Sequence, residues 1–187
     1  MSEHRWVLGL TGPNASGKGT VAALLQARGY AYHSLSDVVR QAAREAGLTT
    51  GRDDLIVTGN RLRLEGGPGV LAERVLPQLG ERDVVDSIRN PAEVEALRRG
   101  IPGFVLIGVT APAEARYARA VSRGRGGDAL GGLAAFLAKE AQENTADPSA
   151  QRLDATFALA DHVLVNDGGL PELEAALETL LRRMEGR

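Results

Sequence analysis

The sequence predicts an α/β fold in which a parallel five-stranded sheet is covered by helices on both faces. Short apolar segments of strand length alternate with longer segments of helical periodicity along the chain, as in proteins built on parallel sheets. The segment at residues 104–109 is a continuous apolar run, which a strand buried on both faces requires. A glycine-rich loop at residues 12–20 joins the first strand to a helix, so a ligand site is expected at the carboxyl end of that strand.

The individual elements follow from apolar periodicity and from the placement of proline and glycine. Several predicted helices begin at a proline, which suits the first helical turn because no N–H is needed there. One helix, capped by Ser34 or Ser36, is expected to end at Gly47, since glycine commonly terminates helices. Strands are predicted at residues 6–11, 30–34, 84–86, 104–109 and 161–166, and helices at residues 18–28, 36–47, 53–65, 68–79, 91–99, 112–123, 133–143 and 171–184.

The loop at residues 12–20 reads Gly-Pro-Asn-Ala-Ser-Gly-Lys-Gly-Thr, which is the spacing of a phosphate-binding P-loop. At Gly12 and Gly17 the missing side chain permits backbone dihedrals and a close approach that a Cβ would block. Successive N–H groups can then converge on phosphate oxygens at a helix N-terminus, and Lys18 adds a full charge. The sequence therefore predicts a three-layer P-loop NTPase fold, with nucleotide phosphates bound by Gly12, Asn14, Ala15, Ser16, Gly17, Lys18, Gly19 and Thr20.

The end of this loop departs from the common P-loop pattern, which has Ser or Thr directly after the lysine. Here Gly19 follows Lys18 and Thr20 comes one residue later. This Gly-Lys-Gly-Thr form resembles the loop of adenylate kinases and related nucleoside monophosphate kinases. The resemblance implies that the phosphate donor is ATP with Mg²⁺. It also implies a metal contact made through water, with Thr20 and Asp86 as the metal residues.

Two further segments resemble the acceptor-binding parts of the same kinases. Residues 34–40, Ser-Leu-Ser-Asp-Val-Val-Arg, match the segment after the second strand, although the family's threonine falls on Leu35. Residues 86–91 match the end of the third strand, with one residue fewer between the acid and the arginine. An arginine in such a place can hold a phosphate through two parallel hydrogen bonds. The resemblance assigns acceptor binding to Asp37, Arg40 and Arg89.

A third match is the pair Arg119 and Arg123, placed where these kinases carry two arginines at the start of a lid. There such arginines stabilise charge on the transferred phosphoryl group, and electrostatic stabilisation is most of what a protein contributes to that reaction. The resemblance implies that Lys18, Arg119 and Arg123 are catalytic, and that a lid spans residues 124–150. The alternative is that the arginines are an exposed helix face. In either case the inner face of this helix is expected to be Ala115, Ala118 and Val121.

The length predicts a single domain, residues 1–187. Within it we expect an acceptor-binding insertion at residues 35–80. Within this insertion, Arg61 or Arg63 could lie near a substrate. The same sequence is equally consistent with two exposed charges on a helix.

Two weaker resemblances concern other kinase groups. Residues 161–169 resemble the last-strand segment of dephospho-coenzyme A kinases, which implies that residues 166–169 contact the donor base. Residues 84–97 resemble the kinase-like portions of long deoxycytidylate deaminases. The chain has no cysteine, so it lacks the zinc motif of those deaminases.

Composition limits the classes of function. The absence of cysteine excludes disulfides and thiol catalysis, and the three histidines have no metal-ligand spacing. A net charge of −2 favours neither a nucleic-acid nor a membrane partner. No signal peptide and no apolar segment of membrane-spanning length is seen, so we expect a cytoplasmic protein, as a monomer or homodimer.

The P-loop predicts phosphate binding, and the resemblance to nucleoside monophosphate kinases implies an ATP-dependent phosphotransferase whose acceptor is a nucleoside or deoxynucleoside monophosphate. An ionised acceptor phosphate needs no general base at neutral pH. A first alternative is transfer to a hydroxyl, as in dephospho-coenzyme A kinases, with Asp37 as the base. A second alternative is a nucleotide-binding sensor without catalysis.

Overall fold

The structure, a computed structural model, describes residues 6–124 and 131–186. Its sheet has five parallel strands in the order β2-β3-β1-β4-β5, which confirms the predicted fold class. In this order β1, which leads into the glycine-rich loop, is the central strand, and β3 and β4 lie on either side of it. The strands are β1 (Leu8–Thr11), β2 (Ala31–Ser34), β3 (Asp83–Asp86), β4 (Val105–Thr110) and β5 (His162–Val165).

Eight of the described helices lie where helices were predicted. Two differences were not foreseen: a short helix, α8, follows the polar connector, and the helix predicted at residues 68–79 ends early. Pro77 has no N–H to donate to the carbonyl oxygen of Glu73, so the α-helical hydrogen bonds stop at Leu76 and α4 gives way to a 3₁₀ turn, Leu76–Gln78. The helices are α1 (Lys18–Gln26), α2 (Leu35–Glu45), α3 (Arg52–Gly66), α4 (Val70–Val75), α5 (Pro91–Gly100), α6 (Ala113–Arg123), α7 (Gly132–Glu143), α8 (Leu153–Phe157) and α9 (Leu170–Glu185).

Side chains of the central strands alternate between two apolar cores, one on each face of the sheet. Val84 packs with α1 and α9, whereas its neighbour Val85 packs with α2, α4 and α5. On β4, Leu106 and Ile107 are divided between the cores in the same way. Because both faces are covered, the central strands β1 and β4 are apolar at nearly every position, as the run at residues 104–109 predicts.

Helix α6 presents a different face to the protein than the sequence predicts. Arg116 and Ala120 are buried on it, while Val121 is 47% exposed. The expected inward face of Ala115, Ala118 and Val121 was therefore wrong. Arg116 faces inward because its guanidinium donates hydrogen bonds to acceptors beneath the helix. These hydrogen bonds outweigh the burial of small apolar side chains.

Candidate functional site

The P-loop follows β1 and has the backbone that its glycines predict. Gly12 and Gly17 have φ of 138° and 111°, and Ala15, with φ of 59°, is also in the left-handed region. A Cβ on Gly12 would overlap the backbone oxygen of Val109, and one on Gly17 would overlap the amide of Asn166. Both positions therefore require glycine for conformation and for space.

Lys18, the first residue of α1, folds back over the loop. Its Nζ donates to the carbonyl oxygens of Gly12 at 2.7 Å and of Pro13 at 2.9 Å. Burial lowers the pKa of Lys18 to about 8, with Asp86 opposing this shift and the nearby Arg89 adding to it. The ammonium thus lies in a place where a further negative charge would be favourable.

Asn166, directly after β5, braces the second half of the loop. Its Nδ2 donates to the carbonyl oxygen of Ser16 at 2.8 Å. Nη2 of Arg119 in turn donates to the backbone oxygen and to Oδ1 of Asn166, at 3.1 and 3.3 Å. Within the part of the chain that the structure describes, the Ser16 hydroxyl and Nη1 of Arg119 are buried without a hydrogen-bond partner, so both retain a polar group that a ligand could satisfy.

Three other predicted site residues, Gly19, Thr20 and Arg123, are partly or fully exposed. Apart from its chain neighbours and the backbone of α1 itself, no atom of residues 6–124 and 131–186 lies within 4 Å of a Cβ placed on Gly19, so space beside the start of α1 is open. Thr20, one residue on, is half-buried. Arg123, the last residue of α6, is exposed, and its charge helps to lower the pKa of Lys18. Arg125, with the rest of residues 125–130, lies outside the described residues.

Asp86 ends β3 beside the P-loop strand and is nearly buried. Its Oδ1 accepts from the backbone N–H of Ser87 at 2.6 Å, and its Oδ2 accepts from the Tyr32 hydroxyl at 3.3 Å. Ser87 has a φ of 66°, an uncommon conformation for a residue with a Cβ. Among the described residues no cluster of three or more carboxylate, histidine or cysteine ligands occurs. A single carboxylate beside a P-loop fits Mg²⁺, which takes its other ligands from phosphates and water.

A cleft of about 460 Å³ runs from the P-loop to α2 and α3. Five predicted site residues line it, namely Gly12, Asn14, Lys18, Arg40 and Arg89. Its apolar lining comes from Leu35, Val39, Leu55, Ile56, Leu71 and Leu153, and its acidic lining comes from Glu140 and Glu143.

Asp37 is placed differently from Arg40. The arginine lines the cleft, whereas the carboxylate is exposed and does not line it. Nη1 of Arg40 is 2.6 Å from Oδ1 of Asp37, so the two side chains form an exposed ion pair at one turn of α2. Because the pair is solvated, its intrinsic contribution to stability is small.

Arg89 reaches the cleft from the connection between β3 and α5. Nη1 donates to Oε1 of Gln151 at 3.1 Å, and its backbone N–H donates to Oε2 of Glu93 at 2.8 Å. Glu93 also holds Arg63, which lies on α3, is buried and lines the same cleft. Of the two arginines that the sequence left open, Arg63 is therefore the one at the cleft, while Arg61 is near Glu65 on the outside of α3.

Two residues at the loop were not predicted to belong to the site. Arg116 on α6 and Glu140 on α7 form a largely buried ion pair that contacts the backbone of Asn14. No local sequence signal marks this pair, because its members are far apart in the chain and each sits in an ordinary helical pattern.

Comparison with known proteins agrees with this geometry. A family model described as an AAA domain matches residues 8–130. A UPF0200 protein of Pyrobaculum aerophilum is 36% identical over 94% of this chain and 96% of its own length, and one of Methanoregula boonei is 33% identical over 96% and 97%.

Solved structures share the whole fold. A protein from Thermus thermophilus, 26% identical, has a TM-score of 0.62 and covers 97% of this chain and 98% of its own. A shikimate kinase from Bacteroides thetaiotaomicron, 14% identical, has a TM-score of 0.60 with 96% and 98% covered. A gluconokinase from Sinorhizobium meliloti, 17% identical, has a TM-score of 0.56 with 98% and 97% covered.

These matches support the P-loop kinase-like character of the chain but not a nucleoside monophosphate kinase in particular. Within the described residues, no helix is long and apolar enough to cross a bilayer. The match to residues 8–130 and the full-length similarity to the archaeal relatives show that the chain belongs to the AAA domain family, among the UPF0200 proteins with a P-loop kinase-like fold.

Proposed function

We propose that the protein transfers the γ-phosphate of Mg·ATP to a nucleoside or deoxynucleoside monophosphate. The observation that carries the proposal is the continuity of the cleft: Lys18 lies at the P-loop end, and Arg40 and Arg89 lie along the same space. A donor phosphate and an acceptor phosphate bound to these cations would face each other across one cavity.

The P-loop and three cations would serve the donor. Backbone N–H groups of residues 12–20 would hold the phosphates, with Lys18 at the outer ones. Arg119 and Arg123 end α6 beside the loop, where they would stabilise charge spread over the equatorial oxygens in the transition state. Thr20 and Asp86 would hold Mg²⁺ through water, and the ion would neutralise phosphate charge.

Arg40 and Arg89 would hold the acceptor. Their planar guanidinium groups suit a phosphate oxygen pair. Such an acceptor is already ionised at neutral pH, so the chemistry requires positioning and charge stabilisation and no base.

Transfer to a hydroxyl is the second candidate, and one observation favours it. The carboxylates that line the cleft are Glu140 and Glu143, so a base for a hydroxyl acceptor would come from α7. Asp37, the base that the sequence suggests, is exposed and paired with Arg40. Two proteins of similar fold are a shikimate kinase and a gluconokinase, whose names indicate hydroxyl acceptors. The third candidate, a sensor without catalysis, would bind ATP and transfer nothing.

A coupled phosphotransfer assay distinguishes the three. Wild-type protein with Mg·ATP is tested against ribo- and deoxyribonucleoside monophosphates, dephospho-coenzyme A, shikimate and gluconate. Turnover with a monophosphate supports the proposal, and turnover with only a hydroxyl acceptor supports the second candidate. ATP binding by calorimetry without any turnover supports the sensor.

The matched variants are Lys18→Met and Arg182→Met. Arg182 is a solvent-exposed cation of α9 that pairs with Glu178 on the same helix, so its loss should leave turnover unchanged. Lys18→Met should lower turnover by about 10²-fold or more, since it removes a charge from the transition state. Full phosphotransfer by Lys18→Met would reject the proposed role of the P-loop.

A further inference from the structure

The ion pair between α6 and α7 lies on the P-loop itself. Nη1 of Arg116 is 2.6 Å from Oε1 and 2.7 Å from Oε2 of Glu140. The two side chains are only 9% and 16% exposed. A charged pair so well removed from water is held in one geometry, unlike the mobile ion pairs of a surface.

Both backbone groups of Asn14 are engaged by this pair. The Asn14 N–H donates to Oε1 of Glu140 at 3.1 Å, and the Asn14 carbonyl oxygen accepts from Nη1 of Arg116 at 3.2 Å. A carboxylate is thus hydrogen-bonded to a backbone N–H of the loop, with an arginine beside it. Backbone N–H groups and an arginine are the partners that a phosphate oxygen takes in proteins.

A small apolar cluster holds α7 against the loop. Phe136 of α7 packs against Ala15 of the P-loop and Ala120 of α6, with Tyr117 and Leu133 partly buried beside it. The Arg116 guanidinium lies 5.6 Å from the centre of the Phe136 ring. Because this cluster has few buried members, the carboxylate end of α7 can shift at modest cost in buried surface.

We propose that Glu140 is an internal stand-in for a phosphate group, and that Mg·ATP must displace it from the Asn14 N–H and from Arg116. The ion pair then sets the affinity for the nucleotide. Because Glu140 and Glu143 also line the cleft assigned to the acceptor, arrival of the donor reshapes the acceptor site. This inference rests on the proposed function in taking a nucleotide as the ligand of the loop.

The charge that each substitution removes determines whether the affinity for Mg·ATP rises or falls. In Glu140→Gln the side-chain oxygen can still accept from Asn14, but the negative charge that opposes a polyanion is gone and Arg116 is left to face it. This variant should bind Mg·ATP at least about fivefold more tightly. In Arg116→Gln the carboxylate loses its cation and opposes the phosphates more strongly, so affinity should fall by a similar factor.

The experiment is calorimetric titration of the full chain with Mg·ATP at low and high salt. The variants are Glu140→Gln, Arg116→Gln and the double variant. The expected result is opposite shifts in the two single variants, with the double variant close to or tighter than wild type, and smaller differences at high salt. The control is Arg98→Gln, which removes a partly exposed pair with Asp161 away from the cleft and should leave the affinity unchanged.

A merely structural role would weaken binding in both single variants, and that result overturns the inference. So does an affinity in Glu140→Gln equal to that of the wild type. Thermal unfolding of each variant shows whether a loss of affinity comes from loss of the fold. If wild-type protein binds no ATP, the proposed function and the inference both fail, whereas tight wild-type binding with unchanged variants rejects the inference alone.

Discussion

Arg63 on α3 and Glu93 on α5 form an ion pair whose side chains are 4% and 0% exposed, with Nη2 of the arginine 2.8 Å from Oε1 of the glutamate. The other oxygen of Glu93, Oε2, accepts from the backbone N–H groups of Arg89 and Asn90. One buried carboxylate therefore fixes the start of α5, the backbone that carries Arg89, and the helix on the far side of the cleft.

Breaking this pair should destabilise the protein strongly. Arg63→Gln leaves Glu93 buried without its cation, and we expect a loss of about 3–5 kcal/mol in the free energy of unfolding. Denaturant titration measures it. Because the penalty comes from the isolated charge, the double variant Arg63→Gln/Glu93→Gln should lose less than the sum of the single variants Arg63→Gln and Glu93→Gln. An additive double variant would contradict the coupling.

The lowered pKa of Lys18, about 8, should make the proposed affinity for Mg·ATP depend on pH. The free protein loses the Lys18 proton as the pH rises through 8, and binding of a phosphate favours the protonated form. Above pH 8 the protein must take up a proton to bind, so the affinity for Mg·ATP should fall by about tenfold per pH unit. Below pH 7.5 this group should cause no change.

Calorimetry between pH 7 and 9.5 in buffers of different ionisation enthalpy measures both the affinity and the proton uptake. The control is Lys18→Arg, because a guanidinium stays charged throughout this range. A wild-type affinity that is flat to pH 9.5 would contradict the assigned pKa.

Gly17 and Gly19 should respond differently to alanine although they are two residues apart. Gly17→Ala must place a Cβ in the left-handed region and against the Asn166 amide, so we expect a loss of about 1–3 kcal/mol in stability. Gly19 lies in the first turn of α1, where a Cβ would meet open space. Gly19→Ala should be neutral or slightly stabilising, because alanine favours the helix. Equal losses in thermal unfolding would be inconsistent with this difference.

Arg119 and Arg123 should be separable by stability. Arg119 is hydrogen-bonded to Asn166, which braces the loop, whereas Arg123 is exposed. With the acceptor found in the phosphotransfer panel, we expect Arg119→Met and Arg123→Met each to lower kcat by about 10²–10³-fold. Only the first should also lower the melting temperature. A kcat within twofold of wild type for either variant would remove that arginine from the proposed machinery.

Some elements could be predicted from residues close together in the sequence, and others could not. Strand β4 is apolar at nearly every position and the P-loop carries its own spacing, so both were predicted from a short window of sequence. The end of α4 was missed because Pro77 interrupts the backbone hydrogen bonds of the helix while the apolar periodicity continues past it. The inner face of α6 was wrong because burial of Arg116 depends on partners outside the helix.

The sequence by itself determined the sheet, the phosphate-binding loop and the need for glycine at positions 12 and 17, because strand burial and loop geometry constrain residue types close together in the chain. Only the tertiary structure decided which charged side chains meet. It turned Asp37 to solvent and brought Arg40, Arg63 and Arg89 to one cleft. It also set Glu140 on the loop that begins the chain's first crossover. Such pairings depend on how separate helices pack, and the residues next to a charged side chain in the sequence do not show which partner it will contact.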